Sequence, residues 1–192
     1  MSAANVACII LASGLSERFG AQDKLSADLC GKPVLSYVLD TAQSVGFGEI
    51  FCVSRMPDID GARLVKNDCP ECGQGHAVGL GLEAARKSGW ETCVIMLGDM
   101  PLIELSYIKK LIEKLTYNQC VMSESKSIRM PPAGFKSTAI DLILSQELAS
   151  GTREIFDQLN PATLQLDADA ALDVDTPADL ARVARIMEAR KR

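Results

Sequence analysis

The chain has 192 residues, of which 47% are hydrophobic and 23% charged, with a formal net charge of -5 and an isoelectric point near 5.0. This length suits one domain that buries roughly 70% of its unfolded surface. The acidic balance excludes bulk electrostatic capture of nucleic acid, so any anionic ligand must be held by a local cluster of cations. No apolar run approaches the ~20 residues of a membrane span, and the first residues lack the basic region and cleavage pattern of a signal peptide. A cytoplasmic, single-domain protein spanning 1–192 is the expectation.

In chain order, short apolar runs alternate with longer stretches of helical spacing. Val6 to Leu11 reads as a strand covered on both faces. Pro33 to Val45 reads as a helix through Val34, Leu35, Val38, Leu39 and Ala42. Ile50 to Val53 and Arg63 to Val65 are short strands, and His76 to Arg86 is a helix entered from a glycine-rich turn. Thr92 to Leu97 is a second buried strand, and Leu105 to Leu115 is a helix with apolar positions at 105, 108, 111, 112 and 115. A strand over 119–122, helices over 138–146 and 152–159, a strand over 163–166 and a closing helix over 177–188 complete the series. Such alternation predicts an α/β fold with a mainly parallel sheet and helices on both faces. Arg190, Lys191 and Arg192 complement the dipole at the end of the last helix.

Seven cysteines, at 8, 30, 52, 69, 72, 93 and 120, lie mostly in apolar segments and read as buried free thiols. Cys69 and Cys72 have metal or redox spacing, but there is no second close pair and only one histidine to complete a zinc site.

In a parallel sheet, ligands bind beyond the carboxyl ends of the strands, which draws attention to three places. The first follows Leu11: Ala12-Ser13-Gly14-Leu15-Ser16-Glu17-Arg18-Phe19-Gly20, running on to Lys24. Small residues at 12 to 14 admit backbone amides to phosphate oxygens, and Arg18 and Lys24 offer the countercharge of a triphosphate. The alternative is a solvated turn with two surface cations. The second place is Leu97-Gly98-Asp99-Met100-Pro101, where a carboxylate follows a buried strand. Asp99 is either a helix cap or a ligand for Mg2+, which takes one or two carboxylates plus phosphate oxygens and water. The third is Asp173-Val174-Asp175-Thr176-Pro177. There Asp175 or Thr176 caps the next helix, or Asp175, ahead of Asp173, shares the same metal.

Between them, Gly73, Gly75, Gly79 and Gly81 open and enter a helix, at a cost of about 1 kcal/mol for each glycine inside it. Close approach of a base or ribose accounts for Gly73 and Gly75. Tight helix–sheet packing accounts equally well for Gly79 and Gly81. A dinucleotide-dependent oxidoreductase is excluded because the first loop lacks Gly-x-Gly-x-x-Gly.

Four segments, "LASGLSERFGAQDKL", "GQGHAVGLGL", "LGDMP" and "DVDTPADL", occur in this order across residues 7–181. Together they resemble the nucleotidyltransferase family that attaches a nucleotide to the molybdenum cofactor, especially its cytidylyltransferase-like branch. The first segment matches the family motif at Leu11, Ala12, Gly14, Ser16, Arg18, Phe19, Gly20 and Lys24. The resemblance implies a Rossmann-like three-layer sandwich of the nucleotide-diphospho-sugar transferase type. It also implies Mg2+ dependence and condensation of a nucleoside triphosphate with a phosphorylated acceptor, with a molybdoenzyme or its chaperone as recipient of the product. On this reading Arg18, Lys24 and Asp99 are catalytic, Asp99 and Asp175 hold the metal, and the nucleotide is bound by Leu11, Ala12, Ser13, Gly14, Ser16, Arg18, Lys24, Gly73, Gly75 and His76. CTP is favoured. The chain departs from the pattern at Ser13, where the cytidylyl branch has alanine and the guanylyl branch glycine. It departs again over Met130-Pro131-Pro132-Ala133-Gly134-Phe135, where the family often carries a His-Pro segment in the acceptor region. A guanylyltransferase, a sugar-phosphate nucleotidyltransferase and a non-catalytic nucleotide-binding module are the other readings.

Overall fold

The computed structural model describes residues 1–20, 22–56, 59–146 and 158–190. Seven strands form one sheet: β1 (Ala7–Ala12), β4 (Glu49–Ser54), β5 (Arg63–Lys66), β6 (Thr92–Leu97), β7 (Cys120–Ser125), β8 (Ile128–Lys136) and β9 (Ala162–Gln165). Their spatial order is β5-β4-β1-β6-β8-β7-β9. All neighbours run parallel except β8, which is antiparallel to both β6 and β7. A two-stranded ribbon, β2 (Asp28–Leu29) with β3 (Lys32–Pro33), leads into α1 (Val34–Val45). The expected α/β layout, three layers around a mainly parallel sheet, is the one observed.

The layers follow from strand periodicity. Every residue of β1 is buried, and successive side chains point to opposite faces. Cys8, Ile10 and Ala12 join the apolar cluster under α1 and α3 (Leu105–Leu115). Ala7, Ile9 and Leu11 join the cluster under α2 (Gly73–Lys87) and α4 (Ser137–Leu144). A smaller third cluster seats α5 (Pro177–Arg190) through Val183, against Phe19, Leu29, Val34 and Leu102. Arg190, in the last turn of α5, pairs with Glu104 at 3.2 Å.

Two elements escape the sequence pattern. β8 carries Pro131 and Pro132, which argue against a strand interior. The ladder accommodates them by slipping: Met122 pairs with Ala133 and Ser123 with Met130, so neither proline has to donate. The Ser123 hydroxyl donates to the Pro132 carbonyl there at 2.6 Å. The β2–β3 ribbon, with two residues per strand, is too short to show an alternation. The helix expected from 76 begins instead at Gly73, preceded by a single 3-10 turn over Pro70–Cys72, so Gly73 and Gly75 sit in its first turn rather than before it. The helix expected over 152–159 lies almost entirely outside the described residues. No helix among the described residues is long and apolar enough to cross a membrane.

The cysteine expectation needs correction. Cys8, Cys52, Cys93 and Cys120 are buried free thiols as expected, but Cys30 is exposed and Cys69 is disulfide-bonded to Cys72. Burial pushes the thiols of Cys52, Cys93 and Cys120 up to about 12, so they act as small hydrophobes. The bonded pair flanks the 3-10 turn that enters α2.

Candidate functional site

β1, β4 and β6 are adjacent and parallel, so their carboxyl ends open on one side of the sheet. Backbone hydrogen bonds tie the segments that follow. The Gly98 amide donates to the Leu11 carbonyl at 2.9 Å, and the Val174 amide donates to the Asp99 carbonyl at 2.9 Å. Asp99 and Asp175, 76 residues apart in sequence, are therefore fixed in one place by main-chain contacts before their side chains interact.

A cleft of about 450 Å³ opens there. Leu11, Ala12, Ser13, Gly14, Ser16, Arg18, Lys24, Gly73, Asp99 and Asp175 all line it, as does Asp173. Gly75 and His76, expected beside the nucleotide, are not among the lining residues. Gln74 and Ala77, not singled out from the sequence, take their place on α2. The first turn of a helix presents only part of its circumference to one cleft, and sequence alone did not fix which part.

Lys24 is at the centre. Its Nζ donates to Asp99 Oδ2 at 2.6 Å and to Asp175 Oδ1 at 2.7 Å, with side-chain exposures of 11% for Lys24, 16% for Asp99 and 22% for Asp175. Burial disfavours the ammonium charge, but Asp99 and Asp175 outweigh it, and the Lys24 pKa is raised. Arg18, largely exposed, pairs with the other oxygen of Asp175. Asp173 is held above the ordinary carboxylate range, first by desolvation and then by the neighbouring Asp175 charge. The Asp99 Oδ1 atom is buried and has no hydrogen-bond partner among the described residues. A buried oxygen without a donor is expensive, and its presence in a carboxylate pair suits a hard cation that prefers oxygen ligands. Among the described residues no group of three or more His, Cys, Asp or Glu side chains is arranged to hold a metal. Asp99 and Asp175 are the two carboxylates here that could hold such an ion together with phosphate oxygens and water.

The loop after β1 is organised by Ser16 of the motif together with residues outside it, Asp23, Arg55 and Asn67. Asp23 accepts from the Leu25 amide at 2.8 Å, and the Ser16 hydroxyl accepts from the Lys24 amide at 3.3 Å. Arg55, at the end of β4, donates to the Gly14 carbonyl at 3.3 Å. Asn67, only 2% exposed, donates to the Ser13 hydroxyl at 2.9 Å and accepts from the Cys69 amide at 3.0 Å. It clasps the β1 loop to the segment that enters α2. Only the fold brings position 67 to position 13, so no local signal could have marked it.

The third acidic stretch divides its roles. Thr176 caps α5 in a reciprocal box: the Asp179 amide donates to the Thr176 hydroxyl at 3.2 Å, and the Thr176 amide donates to Asp179 Oδ2 at 2.8 Å. Capping by Thr176 leaves Asp175 free to face the cleft. Among the helix glycines, packing explains Gly81, since a Cβ there would lie 2.4 Å from Ile9 Cγ2 and 3.1 Å from Val53 Cγ2.

A second cavity of about 610 Å³ adjoins the first along Leu11 and Gln74 and is lined on its far side by Met122, Met130, Pro131 and Phe135. It is made by β7 and β8, the hairpin whose prolines interrupt the ladder. The segment singled out from the sequence as the acceptor region forms its wall.

Known proteins resemble this chain in sequence and in fold. The chain is 29% identical to the purine catabolism protein PucB of Bacillus subtilis over 203 residues, covering 93% of this chain and 96% of that one. The fold superposes on Rv0371c of Mycobacterium tuberculosis with a TM-score of 0.78 at 21% identity, covering 94% of this chain and 97% of the other. It superposes on molybdopterin-guanine dinucleotide biosynthesis protein A of Archaeoglobus fulgidus with a TM-score of 0.75 at 19% identity, covering 95% and 99%. The family model of the MobA-like NTP transferase domain matches residues 8–163, a span that holds the β1 loop, Lys24, Asn67, the start of α2 and Asp99. The chain belongs to the MobA-like NTP transferase domain family.

Proposed function

We propose that this nucleotidyltransferase moves a nucleoside monophosphate from a nucleoside triphosphate, CTP in preference to GTP, to a phosphorylated acceptor of the molybdenum cofactor class, releasing pyrophosphate. The observation that carries the reading is the meeting of Arg18, Lys24, Asp99 and Asp175 in one cleft at the carboxyl ends of β1 and β6.

Small residues at Ala12, Ser13 and Gly14 let main-chain amides approach a phosphate chain. Arg18 and Lys24 neutralise the charge that builds on the leaving pyrophosphate. Asp99 and Asp175 hold Mg2+, which when bound screens the phosphate charges and favours in-line displacement. An acceptor phosphate oxygen forms a bond to the α-phosphorus as the bond to the bridging oxygen breaks, and that electron pair leaves with pyrophosphate. An acceptor monoester is largely ionised near neutral pH, so no strong general base is required. The cavity walled by Met130, Pro131 and Phe135, which adjoins the cleft along Leu11 and Gln74, offers room for the acceptor.

CTP preference rests on the resemblance to the cytidylyl branch and on Ser13. Its side chain is 6% exposed and is held by Asn67, adding bulk where the guanylyl pattern has glycine and so favouring the smaller base. The test is pyrophosphate release with molybdenum cofactor as acceptor and CTP or GTP as donor. CTP is expected to be at least tenfold better in kcat/KM. The reverse order moves the protein to the guanylyl branch, release with a sugar phosphate in place of the cofactor reassigns the acceptor, and nucleotide binding without release with any of them leaves only a binding module.

A further inference from the structure

The two carboxylates of the site come from segments 76 residues apart and are drawn onto one ammonium group, 2.6 Å from Asp99 Oδ2 and 2.7 Å from Asp175 Oδ1. Like charges so placed repel unless a cation lies between them. Lys24 is that cation. Its backbone is anchored, because its amide donates to the Ser16 hydroxyl and the neighbouring Leu25 amide donates to Asp23, whereas its ammonium is carried on a flexible four-carbon stem. Asp99 keeps a second buried oxygen with no partner among the described residues.

Building on the reading of the cleft as a site for a divalent cation and a polyphosphate, we infer that Lys24 is a tethered stand-in for the divalent cation. It holds Asp99 and Asp175 together and surrenders them only when a polyphosphate is present to receive the ammonium. The coupling has a simple electrostatic origin. A divalent ion that takes the carboxylates without a nucleotide leaves the ammonium of a Lys24 side chain only 11% exposed beside a second cation and without an anionic partner. A nucleotide that arrives without the ion finds the ammonium already engaged and two carboxylates facing its phosphates. Together, each ligand supplies the countercharge that the other displaces, so the two bind cooperatively and by reciprocal amounts. Lys24 thereby has a positioning role toward the carboxylates in addition to its contact with phosphate.

The test measures ion binding directly. Free Mn2+ is titrated by electron paramagnetic resonance against the wild-type chain, Lys24→Met and Lys24→Met/Asp99→Asn, with no nucleotide present. Lys24→Met is expected to bind Mn2+ at least tenfold more tightly than wild type, and the double variant to lose that gain. Equal or weaker binding by a folded Lys24→Met, with Mn2+ still retained by wild type beside a CTP analogue carrying a methylene between the α- and β-phosphorus, overturns the stand-in role alone. If no variant retains Mn2+ even with the analogue, the divalent-cation reading of the cleft falls with it. Should Lys24→Met fail to fold, the 15Nζ resonance of Lys24 in the wild-type chain decides. It is expected to hold its position with Mg2+ alone and to move with Mg2+ plus the analogue, and a move of the same size with Mg2+ alone overturns the coupling.

Discussion

Replacing Asp99 by asparagine tests the electrostatic core of the site with almost no change of shape. Asp99 Oδ2 accepts from Lys24 at 2.6 Å in surroundings where both side chains are less than one-fifth exposed. At an effective dielectric of ~20 a close pair of unit charges is worth about 4 kcal/mol before desolvation, and a hydrogen bond to a charged group is worth about 1.5–3 kcal/mol net. The fold does not need the whole of this, because Lys24 retains Asp175 at 2.7 Å and the crowding of Asp173, Asp175 and Asp99 is relieved. A loss of about 1 kcal/mol in stability is expected, read as a few degrees in the unfolding midpoint. The transition state has no such substitute. Asp99→Asn should lower kcat for pyrophosphate release at least a hundredfold, about 2.7 kcal/mol, while the KM for the acceptor stays within a few-fold. Turnover within tenfold of wild type, from a variant whose unfolding midpoint shows it to be folded, would remove Asp99 from the reaction.

Gly81→Ala places a methyl 2.4 Å from Ile9 Cγ2; overpacking of about 1–3 kcal/mol exceeds the ~1 kcal/mol gained in helix propensity. Thermal unfolding should therefore show a lower midpoint, and a higher one would contradict the packing account. Thr176→Ala removes the α5 cap and should cost about 1 kcal/mol. The Thr176 hydroxyl is the main reason the Asp179 carboxyl titrates below its ordinary value, so the contribution is present above the unfolded pKa of ~3.9 and lost as pH falls through the folded one. The gap between wild-type and variant midpoints should accordingly narrow in acid to the part due to the Asp179 amide's bond to the hydroxyl; a gap of the same size at acid pH would show that the bond to the Asp179 carboxylate contributes nothing. Asn67→Ala strips a donor from the buried Ser13 hydroxyl and an acceptor from the Cys69 amide, at about 1–3 kcal/mol. In a double-mutant cycle with Ser13→Ala the loss of the double variant should fall short of the sum of the two single losses, and strict additivity would dissolve the clasp.

Much of this was legible in one dimension. The buried strands β1 and β6 announce themselves as unbroken apolar runs, and α1 and α3 as apolar stripes whose buried positions, such as Val38, Ala42, Ile108 and Leu115, recur at helical spacing. Ser13, Gly14, Arg18, Lys24 and Asp99 could be singled out because the ends of parallel strands are where such a fold binds ligands. β8 was not legible, because Pro131 and Pro132 speak against a strand unless the partner's register is known to slip between Met122 and Ser123. Which residues of α2 line the cleft, Gly73, Gln74 and Ala77 rather than Gly75 and His76, depends on how that helix is rotated against the sheet. Cys69 and Cys72 share the free-thiol pattern of the other cysteines in sequence, yet the fold bonds them to each other.

Local order in the chain was enough to specify the layers, because burial on two faces and helical periodicity are properties of neighbouring residues. The order also named the charged side chains that stand at the ends of strands. It left open which of them meet, and that was decided by packing: the sheet order sets β1 beside β6, main-chain bonds from Gly98 to Leu11 and from Val174 to Asp99 bring the loops together, and Lys24 closes on both acids. Contacts across 75 and 151 positions depend on the whole fold at once, and the same is true of Asn67 against Ser13.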